Sequence, residues 1–126
     1  MRPTFLVPES VVTASGESAP LVLDDPRPQS LLATLGISNV IEQESLAVAI
    51  LGSIDGVEWP AAPLVSFQPK FYTGVTAAVV DLAPYPGVRF LRARWQTNRW
   101  GRGDKMPAFT FYLFVEPLAV AAPTPG

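Results

Sequence analysis

Residues 107–116 read Pro107-Ala108-Phe109-Thr110-Phe111-Tyr112-Leu113-Phe114-Val115-Glu116. Phe109, Phe111, Leu113 and Val115 fall on one side of a two-residue repeat, with Thr110, Tyr112 and Phe114 on the other. A strand with that pattern has one wholly apolar face, because successive side chains point to opposite sides of a sheet. The first set is expected in the core and the second is expected to face outward. Residues 88–96 make the other long strand candidate, and 97–106 is the loop between the two.

Working towards the N-terminus, the same period recurs. In 30–38, Leu31, Ala33, Leu35 and Ile37 share a face opposite Leu32, Thr34 and Gly36. In 45–51, Leu46, Val48 and Ile50 share one face, while Ala47, Ala49 and Leu51 make the other apolar too, as in a strand covered on both sides. Residues 75–82 form a further strand, and 60–67 a proline-interrupted one that suits a sheet edge. Residues 9–14 and 20–24 are two short β-prone runs around Ser15-Gly16-Glu17, which predicts a hairpin there. The 14 prolines punctuate these runs and leave no room for a long helix, since an interior proline removes a donor and clashes with the preceding turn. The reading is an all-β chain: a single antiparallel β-sandwich or jelly-roll-like domain over 9–116. An extended N-terminal arm, 1–8, and a flexible Pro/Ala-rich C-terminal tail, 117–126, flank it. With 126 residues, 48% of them apolar, one core is the expectation.

The residue inventory closes off much chemistry. The chain has no Cys and no His, which removes thiolate and imidazole nucleophile systems and the ordinary zinc ligand sets. No catalytic residue, cofactor or metal ligand is assigned. The carboxylate pairs Asp24 with Asp25 and Glu42 with Glu44 lie beside a proline and in a connecting loop, without the aromatic surroundings of a glycosidase pocket. Arg102-Gly103-Asp104 reads as ordinary loop content. No apolar run reaches the ~18 residues of a membrane span, and the start lacks the apolar stretch of a signal peptide. The chain is therefore expected to be made in the cytoplasm, with no membrane partner.

The segment Ile50-Leu51-Gly52-Ser53-Ile54-Asp55-Gly56-Val57-Glu58-Trp59 carries an Asp-Gly turn over which Trp59 is positioned to pack. It resembles the G-S-x-D-G-x-x-W hairpin of β-sandwich modules, including discoidin-like carbohydrate- and lipid-binding domains. Together with Arg89-Phe90-Leu91-Arg92-Ala93-Arg94-Trp95, then Gly101 and Gly103, then Phe109-Thr110-Phe111, it also resembles small accessory proteins encoded among bacteriophage head and tail genes. That likeness spans roughly residues 30–116. It implies a decoration-like sandwich incorporated in a virion-type particle. Calcium held by Ser53, Asp55 and Glu58 is not the expectation, because hard cations require six or more oxygens.

Charge is sparse, at 16% of residues with a net of −2, and uneven. Residues 89–105 hold six basic side chains against Asp104, a balance of +5, whereas the remainder carries −7. Arg92 and Arg94 share a strand face, and Arg99, Trp100 and Arg102 extend the basic region. Nucleic acid would suit such cations, but the overall acidity disfavours it. An acidic protein surface, including another copy's acidic part, is the expected partner, and that contact should weaken as salt rises. Phe5, Leu6 and Val7 of the arm and the outward Tyr112 and Phe114 complete the expected contact residues. The function that follows is a non-enzymatic structural protein that assembles with identical subunits or docks on a capsid- or shell-like assembly. The alternative is a carbohydrate-binding module with Trp59, Tyr72, Trp95 or Trp100 as its sugar platform.

Overall fold

The computed structural model describes residues 2–25, 27–40, 44–70, 72–99 and 108–118, and the main chain alone of Arg99. The proline tail expected over 117–126 lies outside them from 119 onward. The described residues form nine strands: β1 (Thr4–Val12), β2 (Gly16–Glu17), β3 (Leu21–Val22), β4 (Ser30–Val40), β5 (Glu44–Ser53), β6 (Val65–Ser66), β7 (Gly74–Asp81), β8 (Phe90–Arg99) and β9 (Phe109–Pro117). They build two antiparallel sheets. Sheet A has the order β1-β9-β4-β7, and sheet B the order β2-β8-β5-β6 with β3 also on β8. There is no helix among the described residues.

The two-residue period explains the core. Leu31, Ala33, Leu35 and Ile37 of β4 and Phe109, Phe111, Leu113 and Val115 of β9 are all buried on the inner face of sheet A. Leu46, Val48 and Ile50 of β5 and Leu91 and Ala93 of β8 meet them from sheet B. Trp95 also points inward from β8 and packs, partly buried, against this core. Its ring meets Phe111 edge-on across the sheets at 5.6 Å, and its indole N–H donates to the Ala14 carbonyl at 3.0 Å. Gly16 lies against that ring, and a Cβ there would sit 3.0 Å from it.

Three local expectations are corrected. Residues 4–8 of the expected arm are part of a sheet, because β1 begins at Thr4 and pairs along β9. Leu6 and Val7 are buried in the core, since β1 hydrogen-bonds to the apolar β9 and a bulge near Phe5 turns both side chains inward. The expected hairpin of 9–14 with 20–24 does not form: β1 joins sheet A and β3 joins sheet B, making Ser15–Glu17 part of a crossover. A local turn signal fixes a reversal of direction but not the hydrogen-bonding partner. In 60–67 only Val65–Ser66 pairs, at the edge as expected, because the prolines at 60 and 63 leave no ladder donors there.

Candidate functional site

The G-S-x-D-G-x-x-W segment leaves β5 as a self-contained turn. Asp55 Oδ1 accepts the N–H groups of Val57 and Glu58, both at 2.9 Å. Ser53 Oγ accepts the Gly56 N–H at 2.9 Å and donates to the Glu58 carbonyl at 2.6 Å. Gly56 has φ 77°, which favours glycine, and it packs on the Phe90 ring. The motif residues are thus occupied in shaping the turn. The N–H groups of Glu58 and Val57, in that order, hold the Asp55 carboxyl below its ordinary value of 3.8. A lowered value means that this carboxylate stabilises the fold above its ordinary value, and that the contribution is lost as pH falls through the depressed one. Asp55→Ala should therefore melt below the parent at neutral pH, with the gap closing in acid. Thermal melts across that range check it.

Trp59 packs on the outer face of sheet B, where the Arg92 guanidinium sits 4.6 Å from its ring centroid. Arg92 also donates through Nε to the Ser18 carbonyl and through Nη1 to Glu17 Oε2, each at 3.0 Å. Arg92, expected as half of a free basic surface, is therefore taken up within the chain, with its side chain only 23% exposed. Arg94 is exposed on the same face. The Arg99 side chain, Trp100 and Arg102 lie outside the described residues. Of the carboxylate pairs, Glu44 is buried and accepts the Ala108 N–H at 2.9 Å at the foot of β9. Among the described residues, no cluster of acidic side chains is able to hold a metal ion.

Among the described residues, the aromatic side chains considered for sugar binding, Trp59, Tyr72 and Trp95, do not share a platform. Trp59 stacks on the outer side of β8, Trp95 points inward from the same strand, and Tyr72 stands near Lys70. A cleft of about 640 Å³ does open at one end of the sandwich, between the Asp55 turn and the 85–88 loop, with Trp59 and Tyr85 on its walls and Asp55 and Glu58 at its rim. That second loop is held by Arg27, whose guanidinium donates to the carbonyls of Tyr85, Val88 and Leu82 at 2.6, 3.0 and 3.1 Å. No sequence signal marked Arg27 for this role.

The outer face of sheet A gathers residues that the sequence left scattered. Phe5 pairs with Phe114 across β1 and β9, and their rings lie 5.0 Å apart. Tyr112 meets Phe5 edge-on at 6.0 Å. Tyr112 also lies flat over Gly36 of β4, where a Cβ would come within 2.2 Å of the ring, so the missing side chain makes the slot the ring occupies. The next rows place Leu32 opposite Val79 and Gly36 opposite Val75, extending the apolar surface to β7. Phe5, Val75 and Val79 are 50%, 68% and 53% exposed. Leu32, Val75 and Val79 were not expected here. Leu32 is legible as the back of the alternation in β4, but only the sheet order sets it beside the valines.

No protein-family model matches this chain, and no curated protein is significantly similar to it.

Proposed function

We propose that this chain is a non-enzymatic structural protein that assembles with itself or docks on a larger, virion-type protein assembly, and that the outer face of sheet A is the surface it uses. The observation that carries the reading is the cluster of Phe5, Tyr112 and Phe114, continued by Leu32, Val75 and Val79 across all four strands. Four strands about 4.8 Å apart and eight residues long make a face of roughly 500 Å² in plan, of which the apolar side chains cover the part between Thr34, Glu116 and Asp81. A monomer's largest apolar patch is about 300–600 Å² and is often functional. Rigid aromatic rings held by neighbours also suit the anchor role in interfaces. The strand orders support the same reading. With β2 and β3 taken as one interrupted strand, we read them as a jelly roll, an architecture used by viral capsid and lectin domains. The hairpin's likeness to phage accessory proteins points the same way.

The contact is apolar rather than ionic, so assembly should persist at high salt, unlike the salt-weakened docking expected of the basic region. Light scattering and electron microscopy of the purified protein test this. The parent should form particles larger than a dimer, and the Phe5→Ser/Phe114→Ser variant should lose them with little change in melting temperature, since both rings lie on the solvent side. Particles unchanged in that variant would overturn the reading. A parent that remains a monomer, with tryptophan fluorescence responding to oligosaccharides, would favour instead the cleft between Trp59 and Tyr85 as a glycan site.

A further inference from the structure

Each sheet of an open sandwich has two edges, and an edge strand presents unpaired N–H and C=O groups to which another chain is able to bond. Three of the four edges here are protected. β1 carries Pro8 within it and Pro3 just before it, and its register with β9 shifts twice. In sheet B, β2 and β3 are two residues each, and so is β6, which is flanked by prolines at 60, 63 and 69. The fourth edge, β7, has no such protection. It runs for eight residues in unbroken register with β4, from Ser30↔Asp81 to Ile37↔Gly74. Gly74-Val75-Thr76-Ala77-Ala78-Val79-Val80-Asp81 contains no proline, lysine or arginine, and its single charge is at the end. Among the described residues, no backbone hydrogen bond leaves these eight residues for anything but β4.

We infer that β7 is a self-pairing edge: two copies of this chain join β7 to β7, antiparallel about a two-fold axis, and fuse their four-stranded sheets into one of eight strands. The inference rests on the assembly reading above and names the partner and the contact. The side-chain order selects a second copy as occupant. A two-fold axis through Ala77 sets Ala77 against its own counterpart and Val75 against Val79 twice, so the exposed valines cover one another. Thr76 then faces Ala78, and the small residues at the centre allow close approach. The two Asp81 carboxylates fall opposite Thr73 at opposite ends, roughly 27 Å apart along the strand. That is well beyond the screening length of about 8 Å. Pairing supplies about one hydrogen bond per residue and makes the apolar outer faces of the two sheets continuous.

Sedimentation and a register-specific cross-link test the contact. The parent should contain a dimer. Val75→Lys/Val79→Lys sets lysine against lysine twice, and should raise the dimer's dissociation constant at least about tenfold without lowering the melting temperature. The dimer should survive in Phe5→Ser/Phe114→Ser, which alters the outer face away from this edge. The chain has no cysteine of its own, so introduced ones report cleanly. Under mild oxidation Ala77→Cys should link two chains, whereas Val75→Cys, four residues from its counterpart, should not. A dimer that Val75→Lys/Val79→Lys leaves intact, or Val75→Cys linking as fast as Ala77→Cys, overturns the β7 contact and leaves the outer-face reading standing. Loss of the dimer in Phe5→Ser/Phe114→Ser as well shows that the face rather than the edge holds it, and a parent that is monomeric throughout removes both.

Discussion

Phe111→Ala is expected to remove about 3–5 kcal/mol of folding stability. The ring is fully buried near the start of β9, between Ser10 of β1 and Ile37 of β4. It also reaches across to sheet B, where it meets Trp95. Truncation therefore opens a cavity at the place where the two layers interlock, and neither sheet is free to collapse into it without breaking its own register. Trp95→Ala should lose less, about 2–3 kcal/mol, because that ring is only partly buried. It would still forfeit the hydrogen bond to the Ala14 carbonyl and the contact with Gly16. Urea denaturation of both single variants and the double variant checks these values. The edge-on contact should appear as a coupling of about 0.5–1.5 kcal/mol. A loss below about 1 kcal/mol for Phe111→Ala would place its ring outside the core.

Arg92→Glu is expected to destabilise the protein by about 2–4 kcal/mol, while Arg94→Glu, on the same strand face, should stay within about 0.5 kcal/mol. The difference lies in what each side chain touches. Arg92 covers the Trp59 ring, bonds the Ser18 carbonyl and meets Glu17, so it fastens the β2–β3 connection and the post-β5 loop to β8. Reversal removes these contacts, leaves the Ser18 carbonyl without its charged donor, and sets a second carboxylate beside Glu17. The ion pair alone would contribute little, since Glu17 is half-exposed, so most of the loss comes from the hydrogen bond and the ring contact. Chemical denaturation of the two reversals side by side makes the comparison. Equal, small losses would mean that Arg92 is a solvated surface charge.

Those two arginines show where the sequence stopped being informative. Alternation placed both on the outer side of β8, and that is where they are. Nothing in the sequence distinguished them, because the partners of Arg92 come from residues 17 and 18, in the crossover from β1 to sheet B, and from residue 59, in the β5–β6 connection. The N-terminal segment illustrates the same limit. Phe5, Leu6 and Val7 read as one apolar contact surface, but bulged pairing with β9 sends Leu6 and Val7 into the core and leaves Phe5 outside. A bulge depends on the partner strand, and so has no signature in a run of three apolar residues.

The sequence by itself determined the all-β class, the long strands β4, β5, β7, β8 and β9 to within about three residues at their ends, and the core faces of β4, β5 and β9. These follow from a two-residue period, β-branched and aromatic content and prolines in the gaps, all of which are local properties. Tertiary structure alone decided which strands became neighbours: β9 between β1 and β4, and β8 between β5 and the short β2 and β3. That order set Phe5 beside Phe114, slotted Tyr112 over Gly36, and left β7 at an open edge. Strand pairing is a contact between segments distant in the chain, selected by the packing of two whole sheets. A side chain's face is therefore legible in its own strand, whereas its company on that face is not.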